Sequence, residues 1–165
     1  MSRKSSRQAG KSGRDPGGFV AIPWSVLDSN AYRSLSMHAK ALLVEIARQL
    51  RGDNNGALLC SRAYMGPRGW KSADMLTKAK RELLEAGFLH ETVMGRRPNK
   101  ASWYAVTWSG LDRINGFDPG AAETFNRGAY KAPAMAAPKP TRDELYAKWN
   151  RIPREVVTVT TQEAP

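Results

Sequence analysis

The sequence predicts a mainly helical α+β domain with a small antiparallel sheet, flanked by flexible tails, and three observations carry that prediction. Stretches 36–50 and 72–85 repeat apolar residues at steps of three and four, the spacing of an amphipathic helix. Two strand-like runs, 88–94 and 101–108, flank the basic turn Gly95-Arg96-Arg97-Pro98-Asn99-Lys100, as the arms of a hairpin do. Outside 19–112 the periodic pattern gives way to Ser, Gly, Pro and Ala.

Each element follows in chain order. Residues 18–23 read as a short strand or extended lead-in, with Trp24, Val26 and Leu27 tucked under the domain. Asn30 is the expected cap of a short turn holding Ala31, Tyr32 and Leu35. Ser36 caps the first long helix, whose apolar side is Ala39, Leu42, Leu43, Ile46, Ala47 and Leu50. Gly52-Asp53-Asn54-Asn55-Gly56 stops it, and Ala57-Leu58-Leu59-Cys60 reads as a small strand able to pair with the hairpin. Ser61 caps a short second helix through Met65, and Gly66-Pro67-Arg68-Gly69 is a turn. In the following helix, Ala73, Leu76, Ala79, Leu83 and Leu84 share one side and Lys71, Asp74, Lys78 and Arg81 the other. Gly87 ends it and the chain runs straight into the first hairpin strand.

Charge narrows the function classes. Lys and Arg total 26 against 15 acids, a formal charge of +11, which favours a polyanionic partner. The single cysteine, Cys60, forms neither an internal disulfide nor a zinc site, and a reducing, cytoplasmic compartment fits it. No apolar run approaches the about 18 residues that cross a membrane, and no hydrophobic signal segment opens the chain. Neither His38 nor His90 stands near Cys60 or a nucleophile motif in the sequence. No glycine-rich loop precedes a Lys-Ser/Thr pair, and no His or Cys spacing fits a metal, so the sequence predicts no catalytic residue, metal or cofactor.

The order helix, strand, tight two-helix unit, strand, charged tip, strand is that of a winged helix bound to DNA. In such a unit the second helix puts its N-terminal end into a major groove about 12 Å wide. Lys71, Ser72, Lys78 and Arg81 are therefore the expected major-groove residues, with backbone N–H groups of the helix start available to a phosphate. Asp74 either accepts from a cytosine amine or complements the helix dipole, and Trp70 reads as a core plug under the turn. Arg96, Arg97 and Lys100 at the hairpin tip are the expected second contact, in the minor groove or on adjacent phosphates. Trp103, Tyr104, Val106 and Trp108 are expected to pack mostly against the helices.

A resemblance supports this reading. Residues 35–47, Gly69-Trp70-Lys71-Ser72, 79–89 and 100–108 together resemble the winged helix-turn-helix DNA-binding proteins of bacterial plasmids, phages and integrated elements, over roughly residues 19–112. The stretch 61–69 departs from the family by being compressed and by carrying Pro67. The resemblance implies a double-stranded DNA partner, a place beside the bacterial nucleoid, and a role in transcriptional regulation or in plasmid or phage replication.

Both tails carry their own expectations. Residues 1–18 hold Arg3, Lys4, Arg7, Lys11 and Arg14 without an apolar anchor, so this arm is expected to be disordered when free, either tracking phosphates or only aiding solubility. Within the Pro/Ala-rich tail 113–165, Thr141-Arg142-Asp143-Glu144 is a capping box before a short amphipathic helix near 142–150, with Leu145, Trp149 and Ile152 on one side. That side docks on its own domain, on a second copy of the chain as a homodimer, or on another protein partner. Residues 156–161 have strand propensity and are either an added edge or a frayed end. Two other functions stay open at this stage: an element-encoded protein that binds and inhibits a host protein, and an RNA binder whose wing aromatics stack on unpaired bases.

Overall fold

The computed structural model describes residues 18–96 and 100–132. The arm cations Arg3, Lys4, Arg7, Lys11 and Arg14, the tip residue Arg97, and Leu145, Trp149 and Ile152 of the tail lie outside the described residues, as do residues 156–161. Among those described, the chain is α+β and mainly helical, with five α-helices and a three-stranded antiparallel sheet.

Serine starts four of the five helices. Ser29, Ser36, Ser61 and Ser72 each accept the backbone N–H three residues on, satisfying a donor that the first helical turn leaves unpaired. They open α2 (Asn30–Ser34), α3 (Met37–Ala47), α4 (Arg62–Met65) and α5 (Ala73–Glu85), while α1 (Trp24–Leu27) starts after Pro23. The cap of α2 is thus Ser29 and not Asn30, which is already helical. Residues 18–23 form an extended lead-in without strand pairing.

The helices α3 and α5 pack against each other at the centre of the core. Ala39, Leu42, Leu43, Ile46 and Ala47 of α3 meet Leu76, Ala79 and Leu83 of α5, all buried. Glu82 fixes their mutual position by accepting both the N–H and the hydroxyl of Ser36 at 2.7 Å, so one carboxylate of α5 holds the cap of α3. Leu50 lies beyond the end of α3, yet it still packs against this core. On α5 the buried stripe is narrower than the sequence implied: Ala73 is exposed and Leu84 half-buried. Trp24 departs from expectation outright, at 80% exposed, and leaves Val26 as the buried anchor of α1. In a four-residue helix only one position points inward.

The sheet has the order β1 (Leu58–Leu59), β3 (Trp103–Val106), β2 (Leu89–Val93), so the small early strand pairs with the last. Leu58 stands opposite Tyr104, and Leu89 opposite Val106, with a bulge between Glu91 and Val93. The free edge of β1 is closed by a side chain: the Gln49 amide accepts from Leu59 N–H at 2.8 Å and donates to its carbonyl at 2.9 Å. Buried Asn55 ties the loop after α3 to β3, accepting from Val106 N–H at 2.8 Å and donating to the Val106 carbonyl at 3.0 Å. Both strands of the hairpin are shorter than expected, but Arg96 and Lys100 continue it with two backbone bonds of 2.9 Å.

Packing does not stop at residue 112, where the sequence places the end of the domain. Residues 113–132 return across the molecule to a short 3-10 turn, Ala129–Lys131, whose Tyr130 is 3% exposed and stacks on Phe88 with ring centroids 5.3 Å apart. A glycine makes room for it. Helix α5 ends with Phe88 N–H on the Leu83 carbonyl and Gly87 N–H on that of Leu84, a pattern that puts Gly87 at φ 74°. A Cβ there would lie 2.8 Å from the Ala129 carbonyl carbon.

Candidate nucleic-acid interface

The turn before α5 is built from a 3-10 segment, Gly66–Arg68, and Gly69 at φ 98°, a left-handed conformation that favours glycine. Pro67 at the second position of that segment is compatible with it, which explains how the compressed stretch 61–69 still turns. Trp70 sits half-buried against the core, as the core-plug reading expects. Arg68 is committed elsewhere, to an ion pair with Glu45 of α3 and to the face of Tyr64.

Helix α5 then presents three surfaces to solvent. Its crest carries Lys78 bound to Asp74 at 2.8 Å and Arg81 within 3.7 Å of Glu85. Exposed pairs at this spacing are worth about 0.3–0.5 kcal/mol each, so a phosphate can displace either carboxylate at small cost. Asp74 stands in the first turn, where a carboxylate complements the helix dipole, and it offsets one of the expected cations. The flank toward α3 holds Lys71, Ser72 and Met75, which border a shallow depression with His38, Ala41, Glu45 and Trp70. There the Ser72 oxygen caps the helix, leaving its proton for an outside acceptor.

The third surface faces the hairpin. Between α5, the start of α4 and the base of the hairpin tip runs a groove of about 360 Å³. Arg62, Lys80, Arg96 and Lys100 line it, and among the described residues no carboxylate does. Ser61, Thr77, Ser102 and Tyr104 add hydroxyl groups, while Cys60 and Leu76 make part of its floor. Lys80 is held over the Tyr104 ring, 5.6 Å from its centroid, so its charge stays on the groove wall. Burial pushes the Cys60 thiol up to about 11 and also raises the Tyr104 phenol, so both are neutral at physiological pH and the groove keeps its positive sign. At its outer edge Lys100 meets Asp118 at 3.3 Å. Asp118 also accepts from Met94 N–H, and that bond, with Lys100 and Arg96 nearby, holds its carboxyl below the usual carboxylate range.

Two of the residues singled out in the sequence, Arg96 and Lys100, therefore share one groove, whereas Lys71 and Ser72 lie on one flank of α5 and Lys78 and Arg81 on its crest. Sequence reasoning missed Arg62 and Lys80. A helical wheel divides α5 into buried and exposed, and it is blind to which flank the returning hairpin covers. The aromatics of the second hairpin run sit inward: Tyr104 is buried, and Trp103 and Trp108 are half-buried. No helix of the described residues is long and apolar enough to cross a membrane. No protein family, curated protein or solved structure matches the chain.

Proposed function

We propose that this chain is a winged helix-turn-helix protein that binds double-stranded DNA, with α5 as the recognition helix and the β2–β3 hairpin as the wing, in a regulatory or replication-type role. The observation that carries the reading is the groove joining helix to wing, whose described lining holds Arg62, Lys80, Arg96 and Lys100 and no carboxylate, Asp118 meeting Lys100 only at the outer edge. The element order supports it, since α3, β1, α4, α5, β2 and β3 follow one another as the winged arrangement requires and β1 pairs beside β3. Phosphates recruited by the groove cations would fix the duplex against the start of α5, and the crest would then face base edges once its weak ion pairs open. The burial of Tyr104 removes a stacking platform, so unpaired RNA is the poorer fit.

A protein partner is the second reading. It is favoured by the exposed apolar side chains Trp24 and Met37, which lie outside α5 and the hairpin and which the duplex reading does not use. Binding of the full chain to a random DNA duplex, a DNA single strand and an RNA hairpin at two salt concentrations separates the readings. The duplex is expected to bind most tightly and to weaken as salt rises. Binding to none of the three at low salt refutes the DNA proposal and promotes a protein partner.

A further inference from the structure

We infer that Thr77 reads thymine in the major groove through its methyl group, an inference that rests on the duplex-DNA reading above. Thr77 is exposed in the second turn of α5 and borders the groove. Around the helix it falls between the crest residues Asp74 and Arg81 and the groove residues Ala73 and Lys80, at the middle of the surface that ridge and wing enclose. On its groove side Lys80 is a long chain whose charge is held at the groove wall, where phosphates would lie, so beside the crest the short threonine is a side chain placed to approach a base edge.

Its chemistry at that point is set by a local bond. The Thr77 hydroxyl donates to the Ala73 carbonyl at 2.8 Å. With its proton committed, Thr77 has no donor for guanine O6 or N7; what this exposed side chain still has to offer is a methyl and an acceptor oxygen. In the major groove a T·A pair is the one that offers a methyl together with an amine donor, from thymine C5 and adenine N6. Methyl against methyl and oxygen against amine is therefore the matched pairing, and the adjacent Ala73 methyl extends the apolar strip.

The test begins by selecting duplexes bound by the full chain from a random pool. Affinity is then measured for the selected duplex and for copies in which uracil, which lacks only the methyl, replaces each thymine in turn. At one position uracil is expected to weaken the wild-type chain about fourfold, the worth of one apolar carbon removed from water. Thr77→Ser, which keeps the hydroxyl, is expected to lose the same factor on the thymine duplex and to treat thymine and uracil alike. Thr77→Val, which keeps a methyl, is expected to retain the discrimination. Equal wild-type binding to every uracil copy, or a serine variant that still prefers thymine, overturns the inference while duplex binding itself stands. Absence of any duplex binding overturns the parent reading and this one together.

Discussion

Replacing Gly87 and Gly69 separately by alanine isolates the energy with which the segment after residue 112 is bound to the rest of the fold. Both glycines have positive φ, 74° and 98°, so each substitution carries the left-handed backbone penalty of about 1–2 kcal/mol. They differ in what the new methyl meets. At Gly69 no atom lies within 4 Å of the added carbon, whereas at Gly87 it meets the Ala129 carbonyl carbon at 2.8 Å and the Tyr130 nitrogen at 2.9 Å. Those are backbone atoms, so relief requires the 3-10 turn to move and Tyr130 to withdraw from Phe88. Losing a well-buried aromatic contact costs roughly 1.5–3 kcal/mol. Gly87→Ala is therefore expected to destabilise the chain by about 2.5–5 kcal/mol, the sum of the two terms, and Gly69→Ala by about 1–2, the backbone term alone. Urea unfolding followed by tryptophan fluorescence measures both, and comparable slopes would show that the same unit unfolds. Equal losses for the two variants would refute the claim that residues 113–132 are an integral part of the packing.

Three further outcomes follow from the site. Asp118→Asn removes the carboxylate beside Lys100, so duplex affinity is expected to rise and the logarithmic salt slope to steepen by up to about 0.9, one added phosphate contact; an unchanged slope on titration would show that Lys100 stays away from the duplex. Because the folded pKa of Asp118 is lowered from 3.8, its contribution to stability is full above that value and is lost as pH falls through the lower folded value. Acid unfolding curves of wild type and Asp118→Asn are expected to converge below pH 3.8, and a constant gap down to the lowest pH contradicts the assignment. Cys60, buried with its pKa raised to about 11, is expected to react slowly with iodoacetamide at pH 8 and at the rate of a free thiol only after unfolding, whereas fast labelling of folded protein would place it at the surface.

The long helices were legible because period and cap agree. Ser36 and Ser72 stand immediately before apolar residues that recur on one helical face, and a serine hydroxyl three residues ahead of an amide leaves the chain little choice. Asn30 and Ser29 are adjacent residues of equal capping chemistry, and the dihedral angles that decide between them are set by packing of α1 and α2. Tyr130 escaped notice because a single anchor in a Gly-rich segment has no periodicity; its burial depends on a cleft formed by Phe88 and the space at Gly87. Trp24 erred in the other direction, since size and hydrophobicity set a tendency toward burial while the short α1 had room to bury Val26 alone. The candidate site was half legible. Its hairpin cations were visible as a run, but Lys80 and Arg62 join them through tertiary placement, one from the flank of α5 and one from the start of α4.

The salt dependence of duplex binding by the chain with Arg62, Lys80, Arg96 and Lys100 all changed to alanine tests the central claim most directly. If these four side chains grip phosphates, the logarithmic slope flattens by up to about 3.6, four contacts at about 0.9 each, while the thermal unfolding midpoint changes little. A slope equal to that of the wild-type chain would contradict the account.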